Sequence, residues 1–344
     1  MKTYAILLHP GHNRVYFEEA KRLSINELEI VGARLSTRLL QAEVQTIAGV
    51  SYVTFETAES LSAGDLAILG HLSFLYALFE RDGSSLLPVE LPNFRYMDPD
   101  LSSMLKYTGK TNELFTRMLL NIALYSSDRY EHPRLCVLDP IAGKGTTLFE
   151  ALSLGFDAAG IEIGDKVVAE LSGFFKKYLE REKYKFRSDS GRISGPNRSF
   201  TAKKTVFHFS RNKEEQKNGL EKELALVAGN SVYTNAYFKK NSFELIVGDL
   251  PYGIQHGNVT NESQSSLTRN PRELLAACLP AWRDVLVRGG ILALSWNSFV
   301  LSREEMIRLL GKNGFSVLTG GSYDTLEHRV DQAIRRDAVV ARKL

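Results

Sequence analysis

Two short stretches of this 344-residue chain hold residue types whose spacing could do chemistry. The first runs Asp139-Pro140-Ile141-Ala142-Gly143-Lys144-Gly145-Thr146-Thr147, and Glu162 follows 17 residues after Gly145. Gly143 and Gly145 put no Cβ between the backbone and a ligand. A helix starting at Thr146 offers free N–H groups at the same place. An acidic residue at the offset of Glu162 suits the two hydroxyls of a ribose. Three nucleotide readings compete. A Walker-type phosphate loop needs Ser or Thr after its lysine, and here Gly145 follows Lys144. A dinucleotide turn, G-x-G-x-x-G, needs glycine where Leu148 stands. The remaining reading is S-adenosylmethionine (SAM), held by the glycine turn and Glu162. A turn of this kind also occurs as a tight strand-to-helix connection with no ligand.

The second stretch is Phe243–Gly253, F-E-L-I-V-G-D-L-P-Y-G. Its apolar run ends in Asp249-Leu250-Pro251-Tyr252. In an open parallel sheet, ligands bind beyond the carboxyl ends of the strands, so this tetrad is expected to face the glycine turn. The residue types suit methyl transfer to a planar exocyclic amine. Asp249 can accept one amine hydrogen and a backbone carbonyl at Pro251 the other, which aims the nitrogen lone pair at a methyl donor. Tyr252 offers a stacking face for the base. Rate would then come from in-line positioning and exclusion of water. The bland alternative is a plain turn after a strand.

The elements that must position these residues follow from periodicity. Leu135–Leu138 and Ala158–Ile163 read as buried strands flanking a helix from Thr146 to Leu154 that Gly155 stops. Val167–Tyr184 reads as a helix, and Glu223–Ala228 as a third strand. Asn230, just beyond that strand, would present a polar side chain to an adenine edge. Leu245–Val247 forms a fourth strand, Pro271–Val287 a helix stopped by Gly289-Gly290, and Ile291–Trp296 a fifth strand. Ser302-Arg303-Glu304-Glu305 is a capping box opening a helix to about Gly314. Phe315–Leu318 and Ala338–Arg342 are the last strands. Between them, Glu327–Gln332 is polar, with His328 and Arg329 either touching substrate or forming a surface hairpin tip. Upstream, a helix from Glu113 to Tyr125 is capped by Thr111 or Asn112. Its start could cover the sheet or hold the methionine end of a cofactor. The result is an α/β, Rossmann-like unit over residues 96–344.

Residues 1–95 read as a smaller α+β domain. Tyr4–His9 is a strand, and Ser24-Ile25-Asn26-Glu27 a capping box opening a helix to Leu35. Val44–Phe55 gives one or two strands, and Leu66–Phe79 a second helix. That order suggests a ferredoxin-like unit. His9, His12 and His71 are scattered and carry no ligand pattern. The proline-rich stretch 87–100 is the expected connector.

Net charge is +3 but unevenly placed. Residues 1–100 carry 8 Lys/Arg against 13 Asp/Glu, whereas residues 171–222 carry 14 against 6. The region 186–222 therefore reads as a basic insertion, either a solvated loop or a surface for phosphate backbones. Gln255–Pro271 is a polar candidate lid. The two cysteines, Cys136 and Cys278, exclude a disulfide framework and a zinc cluster. No apolar run approaches the ~18 residues that span a bilayer, and no signal peptide is visible, so a cytoplasmic, metal-free protein is expected.

With both stretches in place, the chain resembles the RNA methylase family of tRNA guanine exocyclic-amine methyltransferases, the group often found with an RNA-binding THUMP domain. The matching pieces are Lys110-Thr111-Asn112-Glu113, Asp139 through Thr147, Gly160-Ile161-Glu162 and Asp249 through Gly253, in order over roughly residues 105–344. The resemblance implies a Rossmann-like class I methyltransferase with SAM contacts at Asn112, Glu113, Asp139, Gly143, Gly145, Glu162 and Asn230, joined by Thr111 and Thr146. It implies target-base contacts at Asp249, Pro251 and Tyr252; Lys110 in the first matching piece, and His328 and Arg329 by their place near the sheet's ligand edge, are the candidate substrate residues. Many members have proline where Leu250 stands, and residues 1–100 lack a clear THUMP pattern. RNA, chiefly tRNA, is the expected partner. A DNA adenine-amine methyltransferase and a non-catalytic SAM-binding scaffold are the alternatives.

Overall fold

The computed structural model describes residues 1–10, 14–98, 101–104, 112–252 and 271–344. His12, Lys110, Thr111, Gly253 and residues 255–270 of the candidate lid lie outside them. The strands are β1 (Lys2–Leu8), β2 (Leu39–Ile47), β3 (Val50–Thr57), β4 (Leu75–Asp82), β5 (Ser85–Val89), β6 (Cys136–Asp139), β7 (Asp157–Glu162), β8 (Lys185–Ser194), β9 (Thr201–Ser210), β10 (Lys222–Ala228), β11 (Phe243–Asp249), β12 (Leu286–Asn297), β13 (Phe315–Val317), β14 (His328–Arg329) and β15 (Arg335–Lys343). The helices are α1 (Arg14–Gly32), α2 (Ala63–Gly70), α3 (Leu101–Met104), α4 (Glu113–Ser126), α5 (Thr146–Ser153), α6 (Asp165–Arg181), α7 (Lys213–Lys217), α8 (Thr234–Tyr237), α9 (Pro271–Val285) and α10 (Arg303–Lys312).

The large sheet runs β13-β15-β12-β11-β6-β7-β10-β9-β8, with β14 paired to β15. Its centre, β12-β11-β6-β7-β10, is parallel. The chain leaves β6 toward β7 and β10, then returns to β11 and β12 on the other side. That reversal makes a crevice at the carboxyl ends of β6 and β11, where ligands of such sheets bind. The small sheet runs β2-β3-β1-β4-β5, antiparallel throughout, with α1 joining β1 to β2 and α2 joining β3 to β4.

Two apolar layers sandwich the large sheet. One contains Trp282, Trp296, Met306 and Phe315 on the side of α9 and α10. The other, with Phe149, Phe175 and Met118, continues without a break into Ile6 and Phe55 of the small sheet and Leu28 and Val31 of α1. Helix α1 also reaches past this core to the turn before β14. Asn26 Nδ2 donates to the Thr325 carbonyl at 2.8 Å, Arg22 donates to the carbonyls of Thr325 and Glu327, and the Ser322 hydroxyl bonds Glu29. Among the described residues, no helix is long and apolar enough to cross a membrane.

Several sequence expectations change. Ser24 does not open a helix: α1 already runs through it, and its hydroxyl bonds the Ala20 carbonyl one turn back at 2.6 Å. The expected second helix over 66–79 splits into the end of α2 and β4. Serine-capped α2 begins at Ala63, and its C-terminal cap falls at His71. The basic region 186–222 is no loop. It forms the hairpin β8–β9, which adds two antiparallel strands beside β10. Phe207 and Phe209 explain why, since their rings pack edge-on against Phe175 of α6 at 5.4 and 5.3 Å. Gly289 and Gly290 lie inside β12, where the register to β11 jumps from Leu286 to Ile291, so they mark a bulge.

Candidate active site

The glycine corner is built from neighbours in sequence. Strand β6 ends at Asp139, the chain turns, and α5 begins at Thr146. Gly143 and Gly145 take φ of +50° and +83°, in the left-handed region that favours glycine. A Cβ on Gly143 would meet nothing within 4 Å, whereas one on Gly145 would strike Leu171 at 2.9 Å. Gly143 thus fronts open space, and Gly145 seats α5 against α6. The Gly143 N–H donates to Glu162 at 3.2 Å, and the Gly164 N–H donates to the other oxygen of that carboxylate at 2.8 Å. Glu162 so ties the turn to the end of β7, and burial holds its carboxyl above the usual range.

Two cavities open along this edge. One, of about 270 Å³, has apolar walls of Ile141, Ile161, Ile163 and Val232, with Glu162 and Asn230 among its polar groups. The other, of about 390 Å³, is lined by Thr116, Asp139, Gly143, Thr146 and Tyr252 among others. Both include Ile141, Glu162, Asp249 and Pro251 in their walls. They are therefore adjoining parts of one cleft, with the end of β11 between them.

The clamp on β11 is more elaborate than its sequence. Asp249 Oδ1 accepts from the Ser295 hydroxyl at 2.5 Å, and Oδ2 from the Tyr252 hydroxyl at 2.6 Å. Arg336 lies behind them, 4% exposed. Its Nε donates to the Tyr252 hydroxyl at 2.7 Å, and its Nη2 stands 3.9 Å from Asp249 Oδ2. The guanidinium carbon lies 4.4 Å from the centre of the Phe115 ring and 5.3 Å from that of Tyr252, a partly desolvated cation on aromatic faces. Burial and the neighbouring Asp249 push the Tyr252 phenol far above its ordinary range, so it stays a hydroxyl donor.

Asp139 is 3% exposed and accepts from the Ile141 N–H at 3.1 Å. Burial raises its carboxyl to about 7; the Thr147 hydroxyl and the Ile141 N–H oppose this, and Asp249 and Glu162 add to it. Three carboxyl groups crowding one cleft suit a cationic ligand, whose charge would relieve their mutual repulsion.

The structure brings together Asp139, Gly143, Thr146, Glu162, Asn230, Asp249, Pro251 and Tyr252, with Gly145 behind them. The side-chain oxygen of Asn230 is used by the Val232 N–H at 3.0 Å. Asn112 and Glu113 line neither cavity. Asn112 instead caps α4, accepting from the N–H groups of Leu114 and Phe115 at 2.8 and 3.3 Å, and α4 reaches the cleft through Thr116. His328 is not at an exposed tip. It is buried, pairs across the ladder with Arg336, and its ring centre lies 5.1 Å from that of Phe115. Arg329 is exposed, and its Nε donates to the Asp331 carbonyl at 3.2 Å. Arg336, Ser295 and Thr116 escaped the sequence reading. Arg336 lies in the charged opening, Arg335-Arg336-Asp337, of β15, ahead of the apolar run Ala338–Ala341.

The sheet order, with the glycine turn after its first strand and a carboxylate at the end of the second, is that of a Rossmann-like class I methyltransferase fold. No protein-family profile matches the sequence, and no curated protein matches it. Among solved structures, the chain is similar to TrmN from Thermus thermophilus, at 14% identity and a TM-score of 0.45, with 100% of each chain covered. It is also similar to magnesium protoporphyrin IX methyltransferase from Synechocystis PCC 6803 with bound SAM, at 12% identity and a TM-score of 0.40, over 71% of this chain and 90% of that one. A third similar structure is an rRNA methylase from Streptococcus thermophilus, at 12% identity and a TM-score of 0.35, over 68% and 98% of the two chains.

Proposed function

We propose that this protein is a SAM-dependent methyltransferase acting on an exocyclic base amine of RNA, with guanine in tRNA as the specific target. One observation carries the reading: the cavity beside Glu162 and Asn230 and the cavity beside Tyr252 share Asp249 and Pro251 in their walls. A donor in one can therefore face an acceptor in the other. The residues fit the donor. Apolar walls at Ile141, Ile161 and Val232 suit an adenine, Glu162 suits ribose hydroxyls, and the carboxylates suit a sulfonium charge. The cofactor, when bound, supplies an electrophilic methyl group. The chain's own residues do the rest: Asp249 and the Pro251 carbonyl accept the amine hydrogens and orient the nitrogen, and Tyr252 supplies a stacking face. Arg336 and Ser295 fix the carboxylate's direction. Preorganised acceptors of this kind are worth roughly 10²–10³ in rate each.

The test is transfer of tritiated methyl from SAM onto total tRNA, rRNA and DNA, followed by nucleoside analysis. Label in a methylated guanine of tRNA is expected, lost at least about a hundredfold in Asp249→Ala, with the heat of SAM binding retained. Label confined to DNA adenine, or full turnover by Asp249→Ala, would overturn the assignment.

A further inference from the structure

The tip of the hairpin β8–β9 stands on the ligand edge of the sheet. Register fixes this. Glu162 of β7 pairs with Ala228 of β10, Ala228 with Lys203 of β9, and Lys203 with Arg192 of β8. The four residues form one row across the carboxyl edge. At about 4.8 Å per strand, the Arg192 backbone lies roughly 14 Å from that of Glu162.

The cations at the two ends of the hairpin are treated differently. Away from the cleft both arginines are neutralised, although Lys185 is exposed there: Arg187 pairs with Glu221 at 2.5 Å, and Arg211 with Glu215 at 2.5 Å. At the cleft end, Arg192 and Lys203 are exposed and directly opposite each other. Like charges in that position destabilise a ladder, and among the described residues neither side chain makes an ion pair or hydrogen bond. Exposed Arg198 follows in the connecting turn, where Asn197 and Arg198 both hold left-handed φ, at +50° and +57°. Between this tip and α6 runs a groove of about 680 Å³, lined by Arg192, Thr201 and Lys203 on the hairpin and by Asp165, Ser172 and Gly173 on the helix. Exposed Lys176 sits one turn beyond Ser172 on the same helical face.

We propose that this groove carries the phosphate backbone of the RNA strand whose target base enters the cleft, a few nucleotides from that base. A polyanion supplies the counter-charge that the fold withholds from Arg192 and Lys203, and the row through Ala228 leads from the groove to Glu162. The proposal rests on the reading of RNA as substrate.

The experiment is fluorescence anisotropy of a labelled single-stranded RNA, without SAM, across a series of salt concentrations. It compares the wild-type protein, Arg192→Ser/Lys203→Ser, and the charge-matched control Arg308→Ser/Lys312→Ser, whose exposed side chains lie one turn apart in the C-terminal half of α10. Each single-strand phosphate contact contributes about 0.7 to the slope of log affinity against log salt. The hairpin variant should therefore lose about 1.4 of slope and about tenfold in affinity, with an equal loss for DNA of the same sequence and an unchanged heat of SAM binding. The control should bind like wild type. Equal RNA binding by the hairpin variant, or an equal loss in the control, overturns the groove. Wild-type protein that fails to bind RNA at low salt overturns the RNA reading itself, and the groove falls with it.

Discussion

Replacing Glu27 by glutamine should stabilise the protein, and do so more strongly as pH rises. Glu27 is fully buried between α1, the segment after α2, and α4. Its carboxylate accepts from the Ser73 N–H at 3.0 Å, the Ser73 hydroxyl at 2.5 Å and Asn121 Nδ2 at 2.8 Å. Burial lifts its pKa from 4.5 to about 7, against the pull of those hydrogen bonds and of Arg117. The folded value lies above the unfolded one, so the folded chain holds an extra proton between about pH 4.5 and 7. Stability therefore falls as pH rises through that window and stays low above it. Integrating the difference gives a penalty under about 1 kcal/mol at pH 5 and roughly 3 kcal/mol at pH 8. Glutamine keeps the shape, and its amide can donate to a rotated Ser73 hydroxyl, without the ionisation. Urea unfolding of wild type and Glu27→Gln at both pH values checks this. The variant's advantage should grow by about 2.5 kcal/mol from pH 5 to pH 8, close to 1 M in midpoint for a slope of about 3 kcal/mol/M. An advantage equal at the two pH values, or a variant weaker than wild type at pH 8, would refute the assignment of a buried ionising carboxyl.

Two further outcomes concern the cleft. Glu162→Gln exchanges a carboxylate bonded to two backbone N–H groups for an amide that can satisfy only one of them, so SAM affinity measured by calorimetry should fall roughly tenfold to a hundredfold, consistent with about 1.5–3 kcal/mol for hydrogen bonds to a charged group; unaltered heat and affinity would remove Glu162 from the site. Arg336→Met fills the space over Phe115 but leaves the Tyr252 hydroxyl without its donor. Methyl transfer should drop by a factor of about ten to a hundred, roughly the loss of one charge-assisted hydrogen bond, with SAM affinity unchanged and Arg336→Lys restoring only part of the rate. A variant with normal kcat would show that the guanidinium merely fills space.

What could be read from the sequence was what neighbours in the chain decide. Gly143, Gly145 and Glu162 belong to a single strand–turn–helix–strand passage, and Asp249 through Tyr252 lie at the end of one apolar run. Their placement follows from local geometry and the switch in strand order. The partners that aim the clamp are long-range: Ser295 is 46 residues from Asp249, and Arg336 is 84 from Tyr252. No spacing rule joins such pairs. Local signals also misled where tertiary packing outweighed them. Ser24 and Glu27 match a capping box, but Glu27 is drawn inward to Ser73 and Asn121 while α1 continues through both residues. The hairpin β8–β9 hid because β8 is polar along almost its whole length and β9 meets the core with a few scattered residues, Ala202 and Val206 on one face and Phe207 and Phe209 on the other. Asn112 caps α4, as its residue type and place before the helix suggest.

The grip of α1 on the turn before β14 has a consequence for how the protein tolerates dissection. Arg22, Asn26 and Glu29 hold the turn that leads to His328, and His328 lies opposite Arg336 in the ladder. Helix α1 thus acts as a splint on the segment that leads into β14 and β15. A chain cut after the small sheet would keep its glycine corner, which sequence neighbours build unaided. It would lose the alignment of its aspartate and tyrosine, because the strand that aims them is braced from outside the piece that remains.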